Sequence, residues 1–412
     1  MKKKKIEHSK PLVDLLHGES TDGITSEGIS RRTALKMMGV GGAATFMGMT
    51  PASEAAVAHA GTLKSDKKVK IVVVGAGAGG LMALSRLRRA LPNADITVIS
   101  PNETHIYQPG QVFMAAGLYT FDDIKKDNSD FIPDGVKWIK DEVAAYDPDN
   151  NKVTTRAGEE VSYDFIVIAT GMEYRYEWIK GLTKEDIGKN GISSVYLSDL
   201  EKGTADGGSI TWDWFNDVKE AAASGKKPTV IYTNPKGSIK CGGAPQKILY
   251  LSADYLKEEG LSANFIYAPN ASKLFKHPEF DATLHEVQGR YDTITNKFRH
   301  NLVAIDVNNK VATFEHTYEV KGEYDEDLEE YDISEETKMV DMSYDFIHIV
   351  PPMRPSKALD DSPLGWQKGT AKGWLEVDQY TMQHRRYDNV FGIGDVCGIP
   401  LCRTGGSARH QG

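Results

Sequence analysis

The glycine run Gly75–Gly80 constrains the fold of this chain more than any other feature. It follows an apolar run, Lys70–Val74, and precedes a helical stretch, Leu81–Ala90. Ile96–Ile99 is then typical of a second strand. A glycine-rich loop alone is a weak signal, but strand, glycines, helix and strand in this order are the fingerprint of a βαβ unit that binds a dinucleotide.

Within the run, the candidate cofactor contacts are Gly75, Gly77, Gly79 and Gly80. Gly75 makes the tight turn, Gly77 lets the pyrophosphate approach, and Gly80 allows close helix–strand packing. The acidic residue that usually holds the ribose after the second strand is missing, and Ser100 stands in its place. We expect the Ser100 hydroxyl to bind the ribose more weakly than a carboxylate would.

Further candidate cofactor contacts are Gln108, Val143, Thr170 and Gly171. Gln108 lies in a loop that should cover the bound cofactor. Val143 ends residues 136–143, which together with residues 152–156 predict a small antiparallel insertion. Thr170 and Gly171 end a buried strand, and that ending is typical of flavoproteins with two dinucleotide-binding domains.

A second segment far along the chain completes the predicted cofactor site. Asn389–Phe391 is an apolar strand that runs into Gly394 and Asp395. An aspartate at this position typically meets the ribityl hydroxyls of a flavin. A helix predicted near Thr404 would direct its N-terminus at the flavin and stabilise negative charge there. The two segments together predict FAD as the cofactor.

Cys241 lies in a glycine-rich turn between a predicted strand, Pro228–Tyr232, and a predicted helix, Gln246–Lys257. Backbone N–H groups and the helix dipole at such a position favour a thiolate, and Lys240 adds positive charge. A lone buried cysteine that only fills space is the alternative. NAD(P)H-dependent enzymes of this build carry a second glycine loop here, so its absence predicts that electrons do not come from NADH.

Three further stretches have simpler interpretations. Met172–Lys227 is a looser connecting segment with glycine-, serine- and lysine-rich joints. Gly322–Asp341 is strongly acidic and predicts a solvated loop, with a dock for a cationic partner as the alternative. The histidines lack the spacing of a metal site.

The N-terminus predicts export. Arg31 and Arg32 form a twin-arginine motif, a weakly apolar run follows, and Ala58–Ala60 supplies small residues for cleavage. Residues 1–60 are therefore expected to be a signal peptide for a folded periplasmic cofactor protein. The net charge of −9 argues against a nucleic-acid partner. Three cysteines are too few for a disulfide framework, which favours redox chemistry.

The chain resembles the sulfide:quinone oxidoreductases over essentially the whole mature sequence. The segments that carry the resemblance are His105–Pro109, Ile239–Ile248, Ile347–Met353, Gln383–Tyr387 and Gly392–Pro400. The most specific of them is Cys-Gly-Gly-Ala-Pro-Gln-Lys, at Cys241–Lys247.

The resemblance implies an α/β fold with two Rossmann-like domains of the glutathione-reductase type. The FAD-binding domain would comprise residues 66–175 and 356–412, and the second domain residues 176–355. It further implies a peripheral membrane protein that oxidises sulfide to sulfane sulfur or polysulfide. With the predicted export, we expect it at the periplasmic face of the inner membrane, and we expect a homo-oligomer. Cys241 would belong to a redox pair, hydrosulfide would form a persulfide there, and electrons would pass through FAD to quinone.

Two departures from the family pattern leave alternatives open. The family's second redox cysteine, quinone contacts and membrane-binding helices usually lie beyond the position of Gly412, so we expect a C-terminally truncated chain. Cys397 is expected to pack beside the flavin, with a disulfide to Cys241 as the alternative. The alternative functions are the flavoprotein subunit of a flavocytochrome c sulfide dehydrogenase and a non-catalytic flavin- or persulfide-binding protein.

Overall fold

The structure is a computed structural model that describes residues 65–198, 204, 206–325, 330–400 and 403–412. The predicted leader and Cys402 lie outside these described residues. The strands, in chain order, are β1 Lys70–Val74, β2 Asp95–Ile99, β3 Thr104–Ile106, β4 Lys125–Asp127, β5 Lys137–Ile139, β6 Val143–Asp147, β7 Lys152–Thr155, β8 Glu160–Ser162, β9 Phe165–Ile168, β10 Glu173–Tyr174, β11 Ile192–Ser193, β12 Thr229–Asn234, β13 Asn264–Pro269, β14 Ile294–Asn296, β15 His300–Asp306, β16 Val311–Asp325, β17 Glu330–Ser343, β18 Phe346–His348, β19 Met353–Arg354 and β20 Val390–Gly392. The α-helices are α1 Ala78–Ala90, α2 Gly110–Ala115, α3 Phe121–Ile124, α4 Gly207–Ala223, α5 Ala244–Glu258, α6 Pro278–Gln288, α7 Lys357–Asp360 and α8 Gly405–Gln411.

The first sheet is parallel, with strand order β20-β9-β1-β2-β5. Its central strand β1 is covered on both faces, as parallel sheets usually are. Val72 and Val74 belong to one core cluster, whereas Ile71 and Val73 belong to another that contains Leu84 of α1. This alternation follows from the two-residue period of a strand. The predicted strand–helix–strand unit is therefore confirmed, and so is the α/β fold class.

The predicted antiparallel insertion is wrong for residues 137–139. They form β5, which pairs in parallel with β2 at the edge of the first sheet. Two contacts fix it there: the Ser100 N–H donates to the Ile139 carbonyl at 3.0 Å, and the Trp138 indole N–H donates to the Ser100 carbonyl at 2.9 Å. The antiparallel sheet itself is formed by β6, β7 and β8.

The second sheet is also parallel, with strand order β11-β18-β12-β13-β14. Helices α4 and α5 pack on one face of β12, because Tyr232 shares a core cluster with Trp214 of α4 and Leu249 of α5, whereas Ile231 belongs to another cluster. The strand and helix predicted around Cys241 are confirmed as β12 and α5. Helix α4 lies inside the segment that was predicted to be loose, and Trp214 is 3% exposed there.

Residues 322–325 and 330–341 of the acidic stretch lie in strands, so the predicted loop is wrong for these residues. β16 and β17 pair in antiparallel fashion, and β15 completes the sheet. Side chains across the hairpin offset part of the negative charge. The Arg299 guanidinium pairs with Glu319 at 2.5 Å and Glu335 at 3.0 Å, and the Tyr318 hydroxyl donates to Glu336 at 2.9 Å. Among the described helices, none is long and apolar enough to cross a bilayer.

A histidine in the core of the second sheet should make stability depend on pH. His348 is 0% exposed, and its Nε2 accepts a hydrogen bond from the Val195 N–H at 3.0 Å. Burial lowers the pKa of His348 to about 3. The unfolded chain therefore binds a proton below about pH 6.5 that the native chain does not, and stability falls as the pH falls.

We expect His348→Gln to remove this dependence. Between about pH 6.5 and 5 the wild type should lose roughly 2 kcal/mol of unfolding free energy more than the variant, because a titrating site contributes about 1.4 kcal/mol per pH unit. Urea unfolding at several pH values measures the difference. His285→Gln, at an exposed position of α6, is the control. Equal pH slopes for wild type and His348→Gln would refute the assignment.

Candidate active site

The glycine turn between β1 and α1 is closed on one side and open on the other. Gly75 has φ +100°, and a Cβ there would lie 2.5 Å from the Ala169 carbonyl oxygen. A Cβ on Gly80 would lie 1.8 Å from the Gly75 carbonyl oxygen. At Gly77, in contrast, a Cβ would meet no atom within 4 Å. The turn thus packs its own backbone tightly and leaves free space in front of Gly77.

Two buried hydroxyls at the ends of the neighbouring strands have no hydrogen-bond partner among the described residues. Ser100 follows β2 and Thr170 follows β9, the two strands that flank β1. The Ser100 Oγ and the Thr170 Oγ1 are both buried and make no hydrogen bond. An unsatisfied buried polar group costs about 1–3 kcal/mol. Ligands of such sheets bind at the carboxyl ends of the strands, so these hydroxyls fit a bound dinucleotide.

Gly171 and Val143 have different surroundings. Gly171 continues from Thr170 with φ +70°, and a Cβ there would meet no atom within 4 Å. Val143 begins β6, is half-buried and packs against the core of the first sheet. The role of both residues in cofactor binding stays a prediction.

The Gly-Asp turn after β20 meets the glycine turn. A Cβ on Gly79 would lie 2.9 Å from the Cγ2 of Ile393, which comes just before Gly394. Gly394 has φ +81°, and its N–H donates to the Gln411 Oε1 of α8 at 2.7 Å. The structure therefore brings the two distant segments of the predicted cofactor site together.

Asp395 is a half-buried carboxylate with two cations nearby. Burial raises its pKa, while the positive charges of Lys240 and Arg403 oppose that rise. The Arg403 Nε also donates to the Asp395 carbonyl oxygen at 2.9 Å. The Arg403 guanidinium lies 4.0 Å from the ring centroid of Trp374. Arg403 thereby fixes the segment that follows the Gly-Asp turn.

Cys241 is held in a strained turn directly before α5. Its φ of +49° is in the left-handed region, which a residue with a side chain seldom adopts. Two backbone hydrogen bonds hold it: its N–H donates to the Arg403 carbonyl at 2.7 Å, and its carbonyl accepts from the Ala244 N–H at 2.7 Å. The side chain is half-buried. The structure thus ties the cysteine turn to the segment that carries Asp395.

Lys240 links the cysteine turn to Gln108 and to strand β10. Its Nζ donates to the Gln108 Oε1 and to the Tyr174 hydroxyl. It also lies 4.7 Å from the Tyr174 ring centroid and 5.9 Å from that of Tyr196. Burial lowers the pKa of Lys240 to about 8, although the charges of Asp395 and Cys241 favour its protonated form.

Sequence reasoning noted only the charge of Lys240 and missed its partners. Tyr174 on β10 and Arg403 before α8 carry no motif, so no local signal identifies them. Gln108 was predicted to line the cofactor, and the structure places it against Lys240 instead of leaving it free in its loop.

Cys397 packs in a different core cluster from Cys241. It is 1% exposed and belongs to the core cluster of the first sheet, whereas Cys241 packs against the core of the second. Burial raises the pKa of the Cys397 thiol to about 12. Both thiols are free in this structure. This is the environment of a packing residue, and a buried thiol of this kind is chemically inert.

In the described part of the chain, no group of three or more histidine, cysteine, aspartate or glutamate side chains is placed to hold a metal ion. The site instead combines a half-buried thiol, a buried ammonium, a half-buried carboxylate and an open glycine turn. These groups suit an organic cofactor that exchanges electrons with a sulfur atom.

The two parallel sheets, the glycine turn and the cysteine turn define a class of proteins. Residues 69–203 match the family described as pyridine nucleotide-disulphide oxidoreductase. The solved structure of the sulfide:quinone oxidoreductase from the hyperthermophilic bacterium Aquifex aeolicus has the same fold. It aligns with a TM-score of 0.62 at 21% identity, over 81% of this chain and 70% of that one.

Two relatives that match most of the chain identify the family within this class. The chain is 35% identical to the mitochondrial sulfide:quinone oxidoreductase of Dictyostelium discoideum, over 85% of this chain and 71% of that protein. It is 32% identical to the mitochondrial sulfide:quinone oxidoreductase of Mus musculus, over 86% of this chain and 71% of that protein. The chain belongs to the sulfide:quinone oxidoreductase family and is a flavoprotein oxidoreductase.

Proposed function

We propose that this protein oxidises sulfide at Cys241 and passes the electrons through FAD to a membrane quinone. One observation carries the proposal: Arg403 connects Cys241 to Asp395. Its carbonyl accepts a hydrogen bond from the Cys241 N–H, and its Nε–H donates to the Asp395 carbonyl. A half-buried thiol is thereby fixed beside the predicted cofactor site. The names of the two relatives support sulfide and quinone as substrates.

The residues that would hold FAD are those of the open glycine turn and its neighbours. Gly77 leaves room for the pyrophosphate, the Ser100 and Thr170 hydroxyls are free to bind it or the ribose, and Asp395 would accept hydrogen bonds from the ribityl chain. A flavin bound there supplies an acceptor for an electron pair and a donor to quinone.

Cys241 is the candidate carrier of the sulfur. The side chain is half-buried, and Lys240 precedes it directly in the chain. Hydrosulfide loses two electrons and one proton to become sulfane sulfur, and a quinone gains two electrons and two protons. We propose that Cys241 carries the sulfur as a persulfide during this exchange.

The proposed cellular location rests on the N-terminal sequence. Arg31 and Arg32, with the small residues before the mature chain, support export by the twin-arginine route to the periplasm. We propose a homo-oligomer that is peripherally bound at the periplasmic face of the inner membrane, where quinone is within reach. Fractionation of cells with and without Arg31→Lys and Arg32→Lys tests this location.

Anaerobic spectroscopy of the full-length, flavin-loaded protein tests the chemistry. Sulfide should bleach the flavin absorbance band, NADH should leave it unchanged, and a soluble quinone analogue should restore it. A flavin absorbance band that does not change on addition of sulfide would contradict the proposal. Recovery with a c-type cytochrome but not with quinone would favour the flavocytochrome alternative instead.

A further inference from the structure

Strand β17 is the edge strand of the β15-β16-β17 sheet. It is 14 residues long, and among the described strands it pairs with β16 alone. β15 pairs with β16 only as far as His316, so Thr317–Asp325 and the facing part of β17 form a two-stranded ribbon. Residues 331–339 are exposed. The outer edge of β17 therefore presents backbone N–H and C=O groups with which a further strand can pair.

The side chains of β17 alternate between the two faces of the ribbon. Ile333 and Met339 lie on one face and are 60% and 64% exposed. Glu336 and Lys338 lie on the other face, where both contact Tyr318. The Tyr318 hydroxyl donates to Glu336 at 2.9 Å, and the Lys338 Nζ lies 5.0 Å from the Tyr318 ring centroid. An exposed edge strand thus carries two opposite charges on one face and two uncovered apolar side chains on the other.

The charges along β17 are self-complementary. Charged side chains often protect an edge strand from self-association, so their pattern decides which strand the edge can accept. In an antiparallel pair of two β17 strands with the two-fold axis at Thr337, Glu336 of each copy lies directly opposite Lys338 of the other. Opposite charges in this position stabilise a strand pair. From Tyr331 to Ser343, this register places no like charges opposite each other.

The neighbouring registers are less favourable. An axis at Glu336 places this carboxylate opposite its own copy, and an axis at Lys338 does the same with the ammonium. An axis between Glu336 and Thr337 places Asp332 opposite Asp341, and an axis between Thr337 and Lys338 forms no ion pair. Like charges directly opposite each other destabilise a strand pair. The sequence of β17 therefore favours the axis at Thr337.

The same register covers the exposed apolar side chains. Met339 lies opposite Glu335 of the second copy and diagonal to its Ile333. Diagonal neighbours are about 7–8 Å apart, which is within reach of long side chains. The two-fold axis produces this contact between methionine and isoleucine twice. The charges and the exposed apolar side chains of β17 therefore favour the same partner, a second copy of this strand.

We propose that β17 is the interface of a symmetric dimer, in which the β17 strands of two copies pair in antiparallel fashion about Thr337. Their three-stranded sheets would then join into one sheet of six strands. A two-fold contact of this kind closes on itself, because each copy uses the same surface. The inference gives the homo-oligomer of the proposed function its interface, and it does not depend on the sulfide chemistry.

Reversal of single charges tests the interface. Sedimentation velocity of the full-length, flavin-loaded protein over a range of concentrations measures the Kd of the dimer. Glu336→Lys places lysine opposite Lys338, and Lys338→Glu places glutamate opposite Glu336. We expect each variant to raise the Kd at least ~10-fold, because the axis repeats each pair of like charges. An equimolar mixture of the two variants pairs opposite charges at both positions, so it should restore a dimer with a Kd within about threefold of the wild-type value.

Glu323→Lys is the matched control, because it makes the same change of charge at an exposed position of β16. It should keep the wild-type Kd, and its mixture with Lys338→Glu should not restore the dimer. Restoration by mixing also separates a change of charge from a loss of the fold. A dimer that Glu336→Lys leaves intact, or variants that stay dissociated when mixed, would overturn the inference. A monomeric wild type would overturn it too, and would favour the cationic partner that the acidic sequence offered as an alternative. A dimer whose flavin does not respond to sulfide would contradict the proposed chemistry and leave this interface in place.

Discussion

A Cys241→Ser variant should bind flavin as the wild type does and lose sulfide-dependent flavin reduction by at least ~10³-fold. Serine has nearly the shape of cysteine, so the strained turn and its bonds to Arg403 and Ala244 can remain. A serine hydroxyl, however, is not deprotonated at neutral pH and cannot form a persulfide. Stopped-flow absorbance after mixing with sulfide measures the rate, and the flavin-to-protein ratio measures binding. Retained reduction would remove Cys241 from the chemistry.

Cys397→Ala is the companion variant. If Cys397 formed the working disulfide with Cys241, this change would abolish reduction as completely as Cys241→Ser. The structure leads us to expect sulfide-dependent reduction close to that of the wild type, because Cys397 lies in a different core cluster and is 1% exposed. The expected cost is in stability, since removing a buried sulfur leaves a small cavity. Loss of reduction with an intact fold would restore the disulfide alternative.

The glycine turn could be predicted from the sequence because its signal is local. Strand, glycines and helix follow one another directly, and each glycine has a steric reason that the structure then shows at Gly75 and Gly80. The strand and helix around Cys241 were predictable for the same reason. Local patterns of apolar and small residues decide such elements.

Elements that depend on distant partners could not be predicted. β5 joins the first sheet through contacts with β2 and Ser100, and no pattern within residues 136–143 distinguishes this pairing from an antiparallel one. The acidic residues of β16 and β17 suggested a loop, but the pairing of the two strands and the charge of Arg299 stabilise a hairpin. Tertiary pairing overrides local propensity in both cases.

The same limit applies to the site. Lys240 meets Gln108 across 132 residues of sequence and Tyr174 across 66. The sequence placed a positive charge beside Cys241, but only the fold shows that the charge is buried among neutral partners. The Ser100 and Thr170 hydroxyls likewise became candidates for cofactor binding with a physical reason only when the structure left them without partners.

Gly77→Val should abolish flavin binding and leave the stability of the flavin-free protein almost unchanged. Gly77 has φ −78° and ψ −173°, a conformation that valine adopts readily, and a Cβ there meets no atom within 4 Å. The added methyl groups would instead occupy the space that the pyrophosphate needs. We expect flavin affinity to fall by at least ~100-fold, as measured by flavin titration, with unfolding free energy within about 0.5 kcal/mol of the flavin-free wild type.

Gly80→Ala is the comparison variant. The two glycines are three residues apart, but only Gly77 has free space around an added Cβ. A Cβ on Gly80 would overlap the Gly75 carbonyl oxygen at 1.8 Å, so the helix must shift from β1. Such overpacking costs about 1–3 kcal/mol of unfolding free energy even without flavin. If Gly77→Val destabilised the flavin-free protein as much as Gly80→Ala does, the space in front of Gly77 would serve the fold and not the cofactor. Wild-type stability of the flavin-free Gly77→Val protein, together with its loss of flavin affinity, would instead support the pyrophosphate site at this turn.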